Sequence, residues 1–262
     1  MKTISQFCFA LLCFVLLFPS CELDCTKGSG DVISETRIVD FFDKIELRGS
    51  FDLHLSQSNS SDNFSLIIEA DDNILPLVET RINSQDRLIV DLEDCIRSQE
   101  PIVLFVSVPN IEEIAIKGSS DVFAATTWDF NSLKLEIDGS GDVDVDSLFS
   151  NFVEIDIEGS GDVFMKHIDA LTINAEVRGS GNIDLAGFAN NFNVEIDGSG
   201  DVDALDLIAE TCDIDISGSG DCEVTATDEL NIKIRGSGSV LYRGDPVISS
   251  SISGSGEIIK LD

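Results

Sequence analysis

A Gly-Ser tract recurs eight times in the C-terminal two-thirds of this chain, and its spacing constrains the fold more than any other feature. Each tract continues with Gly or Ser and then usually with an acidic residue or Asn. The tracts begin at Gly118, Gly139, Gly159, Gly179, Gly198, Gly218, Gly236 and Gly254, which are 18 to 21 residues apart. A unit of that length is too small to bury its own apolar face, so neighbouring units must stack as a solenoid.

The residues around each tract alternate between apolar and polar. With the first glycine numbered zero, positions −4, −2 and +4 are apolar in nearly every copy, and the positions between them are polar. This period of two, with many β-branched residues, is typical of strands with one buried face. The −2 residues are Ile116, Ile137, Ile157, Val177, Ile196, Ile216, Ile234 and Ile252, and the +4 residues are Val122, Val143, Val163, Ile183, Val202, Cys222, Val240 and Ile258.

The glycines at positions 0 and +2 fall at even positions, as the buried residues do, so they lie on the inner face of the strand. A straight strand from −6 to +6 would be about 43 Å long at roughly 3.3 Å per residue, which a coil of this period cannot hold without bending. We therefore predict a corner at each tract, where an inward Cβ has no room and glycine permits a positive φ. An apolar plug near position +9 is predicted to face inward, at Leu148, Ile168, Phe188 and Leu207.

These patterns predict an all-β fold, a parallel β-helix (β-solenoid) of about 18–21-residue rungs, with longer irregular rungs at the N-terminal end. The signature of leucine-rich repeats is absent, and a propeller blade of about 40 residues does not fit the period. An antiparallel array of hairpins with Gly-Ser turns remains the alternative fold.

Residues 1–20 are predicted to be a signal peptide, because Lys2 precedes an apolar run at 7–18 that is too short to span a bilayer. The following Ser20-Cys21 resembles a lipoprotein processing site, so we predict lipid attachment at Cys21 and a lipid-anchored linker over 21–27. Glu22 and Asp24 resemble the acidic export tag of some surface-displayed lipoproteins. The expected location is the outer membrane or cell surface, or its periplasmic side. Ordinary cleavage near Ser20 without a lipid is the alternative.

Residues 28–117 are predicted to form irregular N-terminal β rungs, and 118–262 the regular repeat solenoid, as one continuous domain over 28–262. Gly28 and Gly49 begin related tracts, and the 69 residues from Gly49 to Gly118 correspond to about three further rungs. Strands are expected at 64–70, 88–92 and 102–108, a short helix at 73–81, and loops at 56–63 and 95–101. A separate N-terminal β-domain is the alternative.

The chain is strongly acidic, with a formal net charge of −33. Removal of residues 1–20 takes away one lysine and no acid. This charge argues against binding to nucleic acid or to anionic lipid headgroups, and contact with a membrane is expected only through the lipid anchor.

Cys25, Cys95, Cys212 and Cys222 remain after the predicted signal peptide and the lipid site. Cys212 and Cys222 occupy positions −6 and +4 of one rung, which are apolar slots elsewhere. We interpret them as small buried residues, with an intra-rung disulfide as the alternative.

Columns of carboxylates are the most suggestive chemical feature. Position −3 carries Glu136, Asp156, Glu176, Glu195 and Asp215, and position +3 carries Asp121, Asp142, Asp162, Asn182, Asp201 and Asp221. The favoured interpretation is a solvated acidic face, in which the +3 Asp residues also accept hydrogen bonds from corner amides. Relief of the repulsion by Ca²⁺ is the alternative.

No residue is predicted to be catalytic, to bind a cofactor or to ligate a metal. His54 and His167 lie in different rungs and are interpreted as surface or strand residues, and Trp128 as a packing residue. Phe123 and Phe164 at position +5 are either exposed contacts or covered by the N-terminal segment. The last rung exposes unpaired backbone groups, so we expect it to pair with a second subunit or with a partner strand.

Several N-terminal segments carry a family resemblance, namely residues 34–47, 49–52, 69–75 and 106–110. Followed by tandem Gly-Ser-Gly-Asp-Val repeats, they resemble the head GIN domain family of autotransporter-type adhesins over nearly all of the mature chain. The resemblance implies a β-helical fold and a cell-surface or periplasmic setting. The predicted function is a non-enzymatic envelope lipoprotein that acts as an adhesin-like scaffold for a surface glycan or protein ligand. The alternative is a glycan-binding or polysaccharide-cleaving β-helix protein.

Overall fold

The computed structural model of the chain describes residues 25–58, 60, 64–93 and 95–262. The predicted signal peptide, Cys21 and most of the predicted linker lie outside the described residues. The described part is nearly all β-strand, with parallel coils stacked as a solenoid of about seven turns. This confirms the predicted fold class and rules out the array of hairpins. None of the described helical segments is long and apolar enough to cross a membrane.

The described residues form nineteen strands and one 3-10 turn, Leu75–Leu77. The N-terminal strands are β1 Thr26–Lys27, β2 Val32–Arg37, β3 Lys44–Gly49, β4 Asp52–Gln57, β5 Ser65–Asp71, β6 Val78–Ile82, β7 Arg87–Leu92, β8 Ile96–Arg97, β9 Val103–Val108 and β10 Glu113–Gly118. The repeat strands are β11 Asp121–Gly139, β12 Val143–Gly159, β13 Val163–Gly179, β14 Ile183–Gly198, β15 Val202–Gly218, β16 Cys222–Gly236, β17 Val240–Arg243, β18 Val247–Gly254 and β19 Ile258–Lys260.

Each rung of the repeat region stacks in parallel on the next, with the first glycines of the tracts in register. The predicted corner lies at the tract, and the first glycine of each copy has a φ between +138° and +148°. A Cβ there would overlap the carbonyl oxygen of the matching glycine one rung below, and a Cβ on the second glycine would meet the backbone below it. The tract is therefore glycine because two backbones come into contact there.

The apolar positions predicted from the alternation form the core. Side chains at −4, −2 and +4 are buried from Ile114 through Val240. The side chains of Leu148, Ile168 and Leu207, near position +9, are buried in the core as predicted. Phe188 is not: its side chain is 52% exposed, and Gly187 stands opposite Ile168 and Leu207 instead. The ladder shifts register between Asp184 and Gly187, so counting from the corner misplaces the plug by one residue.

The N-terminal half differs from the prediction in its order of stacking. β10 pairs directly with β3, so Gly118 stacks on Gly49 with no rung between them. The intervening chain instead runs to the other side of this rung, where β7 pairs with β3 and β9 pairs with β4. The expectation of about three rungs between the two glycines is therefore wrong, because spacing along the chain cannot show that the chain reverses its direction of stacking.

Antiparallel strands close this end of the stack. β5 pairs with β9 and β2, and β6 pairs with β7, all antiparallel. We call β2, β5 and β6 the N-terminal cap. The tract at Gly28 does not join the repeat column, and the N–H of Gly30 donates to Asp71 Oδ1 of the cap at 2.9 Å. One cluster of buried side chains nevertheless runs from Phe42 in this half to Tyr242 in the repeats.

Predicted strands at 64–70, 88–92 and 102–108 correspond to β5, β7 and β9. The helix expected at 73–81 is wrong, because only Leu75–Leu77 is helical and Val78–Ile82 is strand β6. The two predicted loops also lose residues to strands, since β4 continues to Gln57 and β8 lies within 95–101. Pairing with β7 and β1 supplies the hydrogen bonds that local sequence does not reveal.

The cysteines fall into a bonded pair and a free pair. Cys25 and Cys95, 70 residues apart, form a disulfide beside the short β1–β8 sheet, which the sequence did not predict. Cys212 and Cys222 are free and buried, as interpreted, and they do not form the alternative intra-rung bond. Burial raises the pKa of the Cys212 thiol to about 12 and raises that of Cys222 as well, which disfavours the nucleophilic thiolate at both positions.

We predict that substitution of a corner glycine lowers the unfolding free energy much more than substitution of the serine beside it. Gly159→Ala forces an L side chain to a φ of +139° and into the carbonyl oxygen of Gly139, so we expect a loss of about 2 kcal/mol or more in unfolding free energy. Ser160→Ala is the matched control, because only its exposed side chain changes and its N–H still donates to the Gly139 carbonyl. Denaturant titration that gives equal midpoints for the two variants would contradict the steric account.

Candidate functional site

A shallow groove of about 860 Å³ runs along the outer face of the strands that precede the glycine corners. Its lining comes from positions −5 to −3 of successive rungs, and we call it the groove. The −5 column contributes Glu154, Asn174, Asn193, Asp213, Asn231 and Ser249, and the −3 column contributes Asp156, Glu176, Glu195, Asp215, Lys233 and Ser251. At about 4.8 Å per rung, the lining extends for roughly 24 Å.

Amide side chains link neighbouring rungs along the −5 column. Asn193 Nδ2 donates to Asn174 Oδ1 at 2.8 Å, and Asn231 Nδ2 donates to Asp213 Oδ1 at 2.8 Å. These bonds hold the side chains parallel to the axis of the stack. Donors and acceptors therefore repeat at the rung spacing, which suits a ligand that is itself extended and polar.

Carboxylates dominate the −3 column, and only some of them have a basic partner. Arg178 bridges Asp156 at 2.8 Å and Glu176 at 2.5 Å, and Arg235 pairs with Asp215 at 2.7 Å. Burial raises the pKa of Glu176, and the neighbouring Asp156 and Glu195 add to that effect while Arg178 opposes it. Glu195 is exposed and lies between Glu176 and Asp215 in the column, so three carboxylates follow one another along the −3 side of the groove.

In the N-terminal half, ion pairs occupy the outer face of the strands that precede the glycine corners. Glu46 is 5% exposed and is bonded to Arg48 at 2.5 Å and Arg87 at 3.3 Å. Arg87 also reaches Glu113 at 2.7 Å. These ion pairs occupy the outer face of the N-terminal rungs, whereas the groove lining begins at Glu154 in the repeats.

The +3 column forms a hydrogen-bonded ladder, which we call the aspartate ladder. Asp162 Oδ1 accepts the backbone N–H of Asn182 at 2.8 Å and its Nδ2 at 2.9 Å. The same backbone bond joins Asp121 to Asp142, Asp142 to Asp162, Asn182 to Asp201, Asp201 to Asp221 and Asp221 to Ser239. The predicted bonding to corner amides is therefore confirmed. Within the described residues, no group of three or more His, Cys, Asp or Glu side chains is arranged to hold a metal ion.

An aromatic stack lies on the outer surface at position +5. His54 stacks between Phe105 and Phe123, with ring centroids 5.3 and 5.2 Å away. Phe123 is partly exposed, although His54 of the N-terminal half stacks on it, so each of the two alternatives holds in part. It forms a column with His54 below it and Asp144 above it. Phe164 is also partly exposed, one rung further on. His167 meets Phe149 edge to face at 5.9 Å, so both histidines are surface residues, as interpreted.

Trp128 is fully buried and packs against Phe130, with ring centroids 5.4 Å apart. The interpretation of Trp128 as a packing residue is confirmed, and it is not accessible to a ligand.

Large apolar side chains are exposed together at the corner where each rung returns. We call this set the apolar ridge: Phe149, Phe152, Leu171, Phe188 and Ile208. Phe188 and Ile208 are neighbours in the ladder, and Phe149 and Leu171 line one shallow cavity of about 410 Å³. Exposed apolar patches of this kind mark contact surfaces more often than isolated residues do.

Comparison with known families identifies the chain. The family model described as "Putative auto-transporter adhesin, head GIN domain" matches residues 41–164 and 146–246. The protein belongs to the head GIN domain family. This confirms the resemblance carried by the N-terminal segments and the repeats. No curated protein matches the chain.

Solved structures share the fold of this head GIN domain protein. A structure from Parabacteroides merdae titled a putative adhesin has a TM-score of 0.84 at 21% identity and covers 91% of this chain and 100% of that chain. A structure from Parabacteroides distasonis titled a putative lipid binding protein has a TM-score of 0.83 at 24% identity, covering 90% and 99%. A second Parabacteroides distasonis structure, titled a putative adhesin, has a TM-score of 0.82 at 22% identity, covering 91% and 100%.

Sequence reasoning found the columns of this head GIN domain protein but not the groove. The −3 carboxylates were identified from the repeat, whereas the −5 amides and Lys233, which complete the lining, were not singled out. The period-two alternation places these polar residues on the outer face of each strand, and this pattern could have identified them. The stack around His54 could not be found, because Phe105 and His54 are 51 residues apart in sequence and meet only through the pairing of β4 with β9.

The aspartate ladder predicts that an amide oxygen can replace a carboxylate. Asp162→Ala removes the acceptor for two N–H groups of Asn182, and we expect a loss of about 1–3 kcal/mol in unfolding free energy. Asp162→Asn is the matched control, because Asn182 already accepts from the Asp201 N–H at 3.1 Å in the same column. Thermal or denaturant unfolding that ranks Asn at or below Ala would contradict this role.

Proposed function

We propose that this head GIN domain protein is a non-enzymatic, lipid-anchored protein of the cell envelope that acts as an adhesin-like binding scaffold. The groove is its contact surface for an extended glycan. The observation that carries this proposal is the repetition of the same amide and carboxylate positions over the rungs of the groove. A polymer with repeating hydroxyl groups can meet such a surface at several rungs at once, and many weak contacts then add up to useful affinity.

The charge of the surface narrows the class of glycan. The groove contains Glu176, Glu195 and Asp215 at neighbouring positions, and the chain as a whole has a net charge of −33. An anionic polysaccharide is repelled by this field, whereas a neutral or amino-bearing glycan is not. Hydroxyl groups donate well to carboxylates and accept from the Asn174, Asn193 and Asn231 amides.

A lipid contact is the second candidate function, and the apolar ridge is the observation that favours it. One structural relative is titled a putative lipid binding protein. In this chain the ridge, unlike the groove, offers exposed Phe, Leu and Ile side chains for an acyl chain. Flotation with vesicles of neutral phospholipid, compared between the parent chain and a Phe188→Ser variant, tests this candidate apart from the groove.

Binding at the groove is tested by two substitutions on one strand. Glu195→Lys and Asp197→Lys make the same charge change at exposed positions two residues apart, but only Glu195 lines the groove. On an array of neutral and amino-bearing glycans, we expect Glu195→Lys to weaken binding by about tenfold or more, equivalent to one good contact, and Asp197→Lys to have little effect. Equal effects of the two variants would place binding elsewhere, and shortening of a bound polysaccharide would instead establish an enzyme.

The proposed anchor predicts a specific mature N-terminus. Mass spectrometry of the protein from membranes should show a chain that begins at Cys21 and carries acyl groups. Cys21→Ala should remove the acyl mass, because the variant has no thiol at which a lipid can be attached. An unacylated N-terminus in the parent protein would overturn the anchor and leave the binding proposal standing.

A further inference from the structure

The last rung of the solenoid is open. All eight residues of β18 are exposed. Its ladder partner is β16, and no other strand of the described residues is paired with its opposite edge. Ile248 and Ile252 continue the inward columns above Leu230 and Ile234, yet their side chains are 41% and 44% exposed. The core of the repeats therefore reaches the surface at this end.

The free hydrogen-bonding groups of β18 can be assigned from the pattern of the rungs. Positions are counted from the first glycine of each tract. At odd positions, such as −5 (Lys134) and +1 (Ser255), the backbone N–H donates to the rung below. At the even position 0, the glycine carbonyl accepts from the rung above. In β18 the even positions are Ile248, Ser250 and Ile252. Their N–H and C=O groups therefore point out of the end of the stack, because both groups of a residue in a parallel ladder face the same neighbour.

Charge disappears toward this end on the outer face. Positions −5, −3 and −1 are Glu154, Asp156 and Glu158 in an acidic rung, but Asn231, Lys233 and Arg235 in the rung of Gly236. In β18 they are Ser249, Ser251 and Ser253. A second copy of a chain with a net charge of −33 is repelled by most of this surface, whereas the serine rung with a basic rung behind it permits close approach.

The two ends of the stack differ in their protection. At the N-terminal end, the cap strands β2 and β6 carry Glu35, Arg37, Glu79 and Arg81. Charges on an edge strand discourage pairing with another chain. β18 carries neither a charge nor a proline. The open edge is therefore a surface suited to strand addition.

The sequence of β18 is self-complementary. Residues 248–252 read Ile-Ser-Ser-Ser-Ile, a palindrome centred on Ser250. A two-fold axis at Ser250 places Ile248 of one chain opposite Ile252 of the other on the inner face, and Ser249 opposite Ser251 on the outer face. We propose that β18 pairs antiparallel with β18 of a second copy about this axis, which joins two solenoids tail to tail.

This pairing supplies partners for the free backbone groups of β18 and covers its exposed isoleucine side chains. Ser250 exchanges two backbone hydrogen bonds with Ser250 of the second copy, and Ile248 exchanges two with Ile252, because the outward groups belong to these residues. The half-exposed isoleucines are covered by their counterparts, which extends the apolar core through the junction. No carboxylate of β18 meets another, since the strand has none.

A consequence concerns adhesion, and it rests on the proposed lipid anchor. Cys25 is bonded to Cys95 near the N-terminal cap, at the opposite end of the stack from β18. A tail-to-tail pair therefore has its two N-terminal ends at opposite extremities. Two copies anchored through Cys21 would then connect two facing surfaces, so a second copy of the chain would be a partner in addition to the glycan of the groove.

Sedimentation and disulfide trapping test the pairing. In the mature protein, Ser250→Cys should form a covalent dimer under mild oxidation, because opposed residues of an antiparallel pair have Cα atoms about 5.5 Å apart. Thr127→Cys, exposed and far from this end, is the matched control and should stay monomeric. Ser250→Lys should shift the parent dimer to monomer in sedimentation, whereas Thr127→Lys should not.

Two results would overturn the proposal. One is a parent protein that remains monomeric at high micromolar concentration with no faster trapping of Ser250→Cys than of Thr127→Cys. The other is a dimer that survives Ser250→Lys. The adhesive consequence is separate: beads that carry the protein by its N-terminal end should aggregate, and Ser250→Lys should prevent it. A solution dimer without an acylated Cys21 in cells would overturn that consequence alone.

Discussion

The contact between backbones at the glycine corner is the constraint on which the rest of this structure depends. At each corner the N–H of the serine donates to the carbonyl of the glycine one rung below, at 2.8 Å in every repeat from Ser140 to Ser255. A side chain on either glycine would occupy the space of that neighbouring backbone. The register of each rung is thereby locked to the next, and every outward column follows from it.

A locked register has an electrostatic cost, which the surface offsets in three ways. The +3 carboxylates are used as hydrogen-bond acceptors for backbone amides of the next rung. Bases such as Lys134, Lys166 and Arg178 each pair with a carboxylate of an adjacent rung. Asn residues replace acids at part of the −5 column. Like charges about 5 Å apart are then tolerable.

The repeat region was predictable almost residue by residue, and the rest was not. Alternation located the core positions, and the parity of the glycines located the corner. Phe188 was misplaced because one rung is a residue shorter and the ladder shifts register at Gly187. The N-terminal half failed for a different reason: β5, β6 and β9 are arranged by antiparallel and long-range pairings, which leave no period in the sequence. The carboxylate columns of the groove were visible in advance, but their concavity and their partners were not.

The sequence by itself determined that the chain stacks short rungs, which residues face inward, and that the outer face is acidic, because all three follow from a period of two within a period near twenty. Only the tertiary structure decided that Gly118 stacks directly on Gly49, that Cys25 pairs with Cys95, and that β18 ends the stack uncovered. These depend on which strands meet in space. Strand pairing across long separations is set by the shape of the whole core, and no local pattern records it.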